Sequence, residues 1–415
     1  MDYPRKIEKE ILDNLNDKRA LFILGSRRVG KTTLLKRIQR QVKNEKTLYF
    51  DLENLETLTL FKSGYNAFIA WFEAQGFPET ERVILFIDEI QYLDEFSNFV
   101  KLAVDHFSHR IKLILSGSSA AQIKYKFRDS LVGRKYVFNL FPLTFREFLH
   151  FKHENRIIEL LGDNAKTVQH EYIKFFSKAL SDYYQEFLIY GGYPEVVLKT
   201  SVKEKYSVLN DLINSYVLKD IRNLFHLERI DVFNQLIGLL AIQTGQLFNS
   251  QSVSKTIKTD HRTLSKYIQI LEDTFMVAKI KPLFTNKKKE LKKMPKIYLL
   301  DTGVRNMLLK SFQPFPLRTD VGILLENGVF SSLWKNITVL EELYFWRTID
   351  GKEVDFILQR ESDFIPFEVK GKRTAVSHLK RFGRLYNSPE MNLVRLDSDT
   401  GQPVPGVNII PPWII

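Results

Sequence analysis

The sequence predicts an α/β fold: a parallel sheet sandwiched by helices, then a mostly helical stretch, a small basic module and a second α/β domain. Three observations predict it. Between Ala20 and Asn139 short apolar runs alternate with helical or polar stretches, after Pro142 long amphipathic segments take over, and from Tyr298 onward helices and strands alternate. Runs apolar on both faces belong to strands covered on both sides, as in parallel sheets. At 415 residues the chain is too long for one hydrophobic core and suits about two to four domains of ~100–200 residues. Its 44% hydrophobic and 27% charged residues, with 32 Phe, are those of a globular chain and not a disordered one.

The expected strands of the first domain are Ala20–Leu24, Thr47–Phe50, Val83–Ile87, Ile111–Leu115 and Tyr136–Phe138, within a domain of residues 1–141. Residues 142–227 read as helical, broken at Gly191-Gly192-Tyr193-Pro194. The basic module is placed at 228–297 and the last domain at 298–415, where prolines preclude a regular helix beyond Gln402. The absence of Cys excludes disulfides, thiolate metal sites and a Cys nucleophile. The amino terminus MDYPRKIEKE has no apolar core and no later run approaches the ~18–20 apolar residues of a membrane span, so a cytoplasmic chain without a membrane partner is expected.

Gly25-Ser26-Arg27-Arg28-Val29-Gly30-Lys31-Thr32 fits G-x-x-x-x-G-K-[ST], the phosphate-binding loop. It follows the apolar run Ala20–Leu24 and opens a helix with Leu34, Leu35, Ile38 and Val42 on its buried face. Glycines let successive N–H groups face phosphate oxygens, and the helix N-terminus adds its dipole. The loop through Thr33 is thus the expected nucleotide cradle, with Lys31 on the β- and γ-phosphates and the Thr32 hydroxyl on Mg²⁺. Val83-Ile84-Leu85-Phe86-Ile87 then ends in Asp88-Glu89, which puts Asp88 at the crevice to hold Mg²⁺ and Glu89 beside the attacking water.

With these two motifs the chain resembles the AAA+ superfamily of ATPases. More narrowly, Asp88-Glu89-Ile90-Gln91, Leu113 to Ser119, Gly133-Arg134, Phe141 to Phe148, Gly191 to Val197 and Tyr298 to Gly303 are similar to a prokaryotic AAA+ family of largely unknown biological role. The resemblance implies ATP as the nucleotide, residues 142–227 as a helical lid, Ser116 or Ser118 as the polar sensor at the strand tip, and Arg134 as a finger for the γ-phosphate, in its own or a neighbouring subunit. It leaves monomer and homo-oligomer open.

Residues 240–296 hold 12 Lys plus Arg against 4 acids, an excess of eight within a whole-chain surplus of 12. Helices are expected near Phe233–Ile242, Ser252–Ile257 and Asp260–Glu272. In the third, Leu264, Tyr267, Ile268 and Leu271 form a buried face opposite Arg262, Ser265, Lys266 and Gln269. A hairpin follows, with strands near Met276–Ile280 and Ile297–Leu300 and a loop carrying Lys287, Lys288, Lys289, Lys292 and Lys293. This reads as a winged helix that neutralises DNA phosphates, with contact to protein as the alternative.

In the last domain the strand after Asp350-Gly351 is expected to put Val354, Phe356 and Leu358 on one face and Asp355 with Glu353 on the other. The next strand sends Ile365, Phe367 and Val369 one way and Glu368 and Lys370 the other, with a helix bearing Glu326 over that side. Glu326, Asp355 and Glu368-x-Lys370 look like the PD-(D/E)XK nuclease fold. That likeness implies Mg²⁺ or Mn²⁺ on Glu326, Asp355 and Glu368, and a water-positioning Lys370. The plainer alternative is a hairpin with surface ion pairs. His150 and His153 lack a third zinc ligand. The whole reads as an AAA+ ATPase coupled to a DNA-binding winged helix and a metal-dependent nuclease-like domain. Its rivals are a nucleotide switch with a catalytically silent last domain, and a signalling or scaffold ATPase.

Overall fold

The computed structural model describes residues 3–94, 96–118, 131–161, 170–215, 221, 225, 227–283, 294–371, 376–396 and 404–415. The chain divides into two compact units, residues 1–141 with 273–275, and residues 142–272 with 276–415.

The first unit has an α/β fold. Its elements are α1 (Ile7–Asp13), β1 (Ala20–Leu24), α2 (Lys31–Gln41), β2 (Lys46–Asp51), α3 (Leu55–Lys62), α4 (Tyr65–Ala74), β3 (Val83–Asp88), α5 (Phe96–Phe107), β4 (Ile111–Gly117) and β5 (Lys135–Asn139). Among the described residues the strands form a five-stranded, wholly parallel sheet in the order β2-β3-β4-β1-β5. The central β1, β3 and β4 are buried along their whole length, as their continuous apolar runs require. The edges depart from the expectation of strands covered on both sides. β2 is only half-buried and Val137 of β5 is exposed, because a strand at the end of a sheet is only partly overlaid by helices. With every strand parallel, the carboxyl ends of β1, β3 and β4 lie side by side, which is where α/β sheets bind ligands.

The second unit opens with helices α6 (Phe145–Phe151), α7 (Asn155–Leu160), α8 (His170–Tyr190), α9 (Pro194–Val197) and α10 (Val202–Leu212). Three more follow, α11 (Ile230–Ile242), α12 (Ser250–Thr256) and α13 (His261–Asp273), then the antiparallel pair β6 (Val277–Pro282) and β7 (Lys296–Leu299). The chain ends with α14 (Thr302–Leu309), α15 (Val321–Asn336), β8 (Glu341–Arg347), β9 (Glu353–Arg360), β10 (Asp363–Val369), α16 (Ser377–Tyr386), β11 (Asn392–Val394) and β12 (Asn408–Ile410). Among the described residues its strands make one mixed seven-stranded sheet in the order β12-β11-β10-β9-β8-β6-β7. The hairpin therefore belongs to the same sheet as the last strands: β6 pairs with β7 on one side and in parallel with β8 on the other. The expected boundary between residues 297 and 298 falls inside β7.

Three of the segments singled out by resemblance meet in this unit. Gly191 ends α8 at a φ of +78°, and Gly192 donates its N–H to Asp301 Oδ2 at 2.7 Å while its carbonyl accepts from Leu143 N at 2.7 Å. Asp301 also caps α14 by accepting from Val304 N at 3.0 Å, and Asn306 Nδ2 donates to the carbonyls of Leu188 and Ile189 at 3.0 and 2.8 Å. Glycine is required at this joint by space: a Cβ on Gly303 would stand 2.0 Å from the Tyr190 carbonyl oxygen. Gly303→Ala is expected to destabilise this unit by about 1–3 kcal/mol through overpacking, read as a lower urea midpoint. An unchanged midpoint would show that the joint is loosely packed.

Candidate nucleotide and carboxylate sites

Strand β1 ends directly in the loop that precedes α2, so the loop geometry follows from its residues. Gly25 sits where a Cβ would be 2.2 Å from the Leu140 carbonyl oxygen, and Gly30 takes a φ of +99° to start the helix. Arg28 adopts a φ of +61°, a conformation that costs a non-glycine residue about 1–3 kcal/mol and that concentrates at functional sites. Val29 is buried in the core with Leu34 and Leu35, so it offers a ligand only its backbone. Ser26 is buried, Arg27 is half-buried with its guanidinium 3.5 Å from Glu53, and Thr33 is exposed.

Lys31 is 4% exposed, and its Nζ donates to the carbonyls of Gly25 and Ser26 at 3.2 and 3.1 Å. Burial pushes its ammonium down, against the opposing pull of Glu89 and Asp88. Asp88, at the end of β3, collects donors: Thr32 Oγ1 at 2.6 Å and Tyr49 OH at 2.8 Å on Oδ2, with Glu89 N at 3.1 Å and the Ser116 hydroxyl on Oδ1. Glu89 lies 4.0 Å from Lys31 Nζ, has a φ of +56°, and is held by the amide of Gln91, which also donates to Ser118 Oγ at 2.8 Å. The structure thus gathers Lys31, Thr32, Asp88, Glu89 and Ser116 at one place. A cradle with a closely approached Gly25 and a left-handed Gly30, a buried lysine and a hydroxyl–carboxylate pair fits a nucleoside triphosphate with Mg²⁺.

Tyr49 and Gln91 join the site without having been assigned a role from sequence. Tyr49 left no sign on a half-buried edge strand. Gln91 follows Glu89 by two residues, a spacing that one 3₁₀ turn over Ile90–Tyr92 brings back onto the acid. Arg134 is a correction. Its carbonyl accepts from Ala20 N at the start of β1, and its Nε lies 2.6 Å from Asp105. At ~3.3 Å per residue, the length of β1 puts it roughly 15 Å from the loop at the other end of the sheet, so it is no finger for its own chain's nucleotide.

In the second unit, Glu326 Oε1 accepts from Tyr298 OH at 2.6 Å and lies 3.5 Å from Lys296 Nζ. Lys296 Nζ is 2.5 Å from Glu353 Oε1, Glu368 Oε1 is 2.6 Å from Lys370 Nζ, and Asp355 Oδ2 accepts from Val369 N at 2.8 Å. Burial and the nearby Asp355 carboxylate push Glu326 and Glu368 each up to about 7, and burial raises Asp355 also. Lys370 is raised: burial works against its charge, but Glu368, Asp355 and Glu326 overcome it. Glu326, Asp355, Glu368 and Lys370 therefore share one electrostatic neighbourhood.

Two expectations are corrected here. Between Tyr344/Ile357 and Trp346/Val354 the β8–β9 register shifts by one, so Asp355 and Phe356 together oppose Phe345. This bulge breaks the alternation: Val354 and Ile357 pack with Trp346 and Phe382, whereas Phe356 turns to Tyr298 and Phe330. Second, among the described residues no three His, Asp or Glu side chains are grouped to hold a metal ion, so Glu326, Asp355 and Glu368 do not form a three-ligand cage. Glu326 is drawn instead to Tyr298 and Lys296. Glu368 Oε2, buried with no hydrogen-bond partner, leaves an acceptor beside Asp355 that suits a hard cation.

Helix α13 buries Leu264, Tyr267, Ile268 and Leu271 and exposes Arg262, Ser265, Lys266 and Gln269 on its other side. Lys287, Lys288, Lys289, Lys292 and Lys293 lie outside the described residues. Lys296, counted with them from sequence, is buried and paired with carboxylates, and Lys279 is 2.5 Å from Glu272. No helix among the described residues is long and apolar enough to cross a membrane.

Residues 17–149 match the model of an AAA domain, and the segment is a P-loop ATPase domain of that type. Residues 181–314 and 321–414 match two domains of unknown function, DUF8612 and DUF4143. An uncharacterised protein of Haemophilus influenzae is 27% identical over 368 residues, covering 84% of this chain and 81% of its own. Another, from Methanocaldococcus jannaschii, is 27% identical over 350 residues, covering 80% of this chain and 70% of its own. Among solved structures, a Walker-type ATPase of Pyrococcus abyssi aligns with a TM-score of 0.49 at 15% identity, over 74% of this chain and 96% of that one. The ORC2 protein of Aeropyrum pernix aligns at a TM-score of 0.36 and 13% identity, over 73% of this chain and 92% of its own.

Glu89→Gln is expected to keep nucleotide affinity and lower turnover roughly 10²–10⁴-fold, the range for loss of a general base. Gln91→Ala, which frees Glu89, should lower kcat with KM unchanged; normal kcat in either variant would dismiss the assignment. A second outcome concerns pH. Because Glu326 and Glu368 titrate near 7 when folded and near 4.5 in the unfolded chain, the folded state holds more protons between those values. The unfolding free energy should therefore fall as pH rises through that window, and Glu368→Gln should flatten the fall. A slope identical in wild type and variant, from urea titrations at several pH values, would refute the burial of these acids.

Proposed function

We propose that the chain is an ATP hydrolase that binds DNA through a winged helix made of α11–α13 and β6–β7, and that its last domain is a PD-(D/E)XK nuclease-like fold with a divalent-cation site. The convergence of Lys31, Thr32, Asp88, Glu89 and Ser116 at the carboxyl ends of three adjacent strands carries the hydrolytic part. Lys31 binds the β- and γ-phosphates, Thr32 and Asp88 hold Mg²⁺, and Glu89 takes the proton of the attacking water. Bound Mg²⁺ neutralises charge on the phosphate oxygens. Ser116 keeps Asp88 oriented, and Gln91 keeps Glu89 in place.

The exposed Arg262, Ser265, Lys266 and Gln269 on one face of α13 support recognition of nucleic acid, since a groove-reading helix presents such a face to phosphates and base edges. In the last domain Asp355 and Glu368 would ligate Mg²⁺ or Mn²⁺, and Lys370 would orient water against a phosphodiester. A second reading, in which this domain holds DNA without cutting it, is favoured by the lysines already paired with Glu326, Glu353 and Glu368.

Lys31→Ala should abolish ATP hydrolysis in a phosphate-release assay, and undiminished release would refute the hydrolytic assignment. Arg262→Glu with Lys266→Glu should weaken duplex DNA binding and reduce the slope of log K against log salt by about 2, at ~0.9 per phosphate contact. Unchanged affinity would turn the module toward a protein partner. Incubation of DNA with Mg²⁺ or Mn²⁺ separates the two readings of the last domain: cleavage by wild type and not by Asp355→Ala supports a nuclease, and none by either supports the silent domain.

A further inference from the structure

We propose that Lys296 is a resident counter-ion of the carboxylate site, its ammonium holding the place of one divalent ion between Glu326 and Glu353, so that metal enters only at the Asp355–Glu368 side. The proposal rests on the reading of this site as a cation site.

Lys296 lies on neither strand that carries the nuclease-like residues. It comes from β7 and reaches Glu353 Oε1 at 2.5 Å and Glu326 Oε1 at 3.5 Å with its side chain 4% exposed. An ammonium in such a place loses its hydration, and the loss is tolerated only because carboxylates surround it. Glu353 and Glu326, at 2.5 and 3.5 Å from its Nζ, supply the opposing charge. Its backbone is pinned from two sides, by Ile280 of β6 and by a bridge to Leu247, so the ammonium is delivered by a rigid element. A Cβ on Gly245 would stand 2.9 Å from Glu326 Oε1, so the turn after α11 also closes on this side of the cluster.

The carboxylate oxygens divide accordingly. Glu353 has Lys296 on Oε1 and Arg347 on Oε2 at 2.7 Å, and Glu326 has Tyr298 and Lys296 on the same oxygen. On the other side Glu368 has Lys370 on Oε1 at 2.6 Å, but its Oε2 is buried without a hydrogen-bond partner, and Asp355 Oδ2 accepts one backbone N–H, that of Val369. Charge points the same way. The carboxylates of Glu326, Glu353, Asp355 and Glu368 exceed the cations Lys296, Lys370 and Arg347 by one, so one divalent ion overshoots neutrality by one charge and a second would leave a large buried excess. A site of this kind is an acid cluster in which the chain itself supplies three cations against four carboxylates.

The test counts bound Mn²⁺ by electron paramagnetic resonance on the full chain without nucleotide at pH 8, with Asp88→Asn in every sample to remove the metal position beside Thr32, so that wild type here means Lys296 intact. Lys296→Met should bind one more Mn²⁺ than wild type, Lys296→Gln likewise, and Lys296→Arg the same number as wild type. Equal counts in wild type and Lys296→Met overturn the proposal. If that equal count is one, the cation site at Asp355 and Glu368 stands without it; if it is zero, both fall. A wild type that binds none and a Lys296→Met that binds one would keep the resident cation and remove the metal from the native site. Should a variant lose its melting transition, restoration of that transition by Mn²⁺ supports the proposal, and no restoration overturns it.

Discussion

A carboxylate removed from water must be given hydrogen-bond donors or a cation, and both sites of this chain are organised by that demand. Asp88 is 2% exposed and meets it with two hydroxyls, a backbone N–H and the Ser116 side chain. The acid cluster of the second unit meets it with Tyr298, Lys296 and Lys370. The two solutions differ in kind. Neutral donors leave Asp88 its negative charge and hence its attraction for a metal ion, whereas ammonium groups neutralise the carboxylates they touch.

Much of the first site was legible in the sequence because phosphate binding imposes local rules: a strand, glycines at fixed offsets, then Lys31 and Thr32 at a helix start. Asp88 and Glu89 were legible because an apolar run has to end at the crevice. The helix faces of α13 were equally plain, since Leu264, Tyr267, Ile268 and Leu271 follow helical periodicity without interruption. Tyr49, Gln91 and Lys296 were not legible in that way. Gln91 is placed by a local 3₁₀ turn, whereas Tyr49 and Lys296 reach their sites through tertiary packing, and Lys296 looked like one more member of a lysine-rich stretch until its burial was seen.

Arg134 and the β9 bulge show why side-chain direction is harder to read than element type. A glycine–arginine pair before a strand says nothing about which end of the sheet receives it, and here hydrogen bonding to Ala20 fixes the end away from the chain's own nucleotide loop. Period-2 alternation placed Asp355 opposite Phe356, but one extra residue in β9 turns Phe356 toward Tyr298 and Phe330. A bulge is inserted by the partner strand's register, which β9 alone does not encode.

The strand β6, paired with β7 on one side and β8 on the other, also bears on inheritance. Gene fusion and recombination spread a domain successfully when its excision leaves no raw backbone behind. Exchange near residue 297 would strip β8 of its neighbour and take Lys296 away from Glu353, exposing an open sheet edge and an uncompensated acid in a single event. An exchange that kept both the sheet edge and the acid covered would have to carry β6, β7 and the carboxylate strands together.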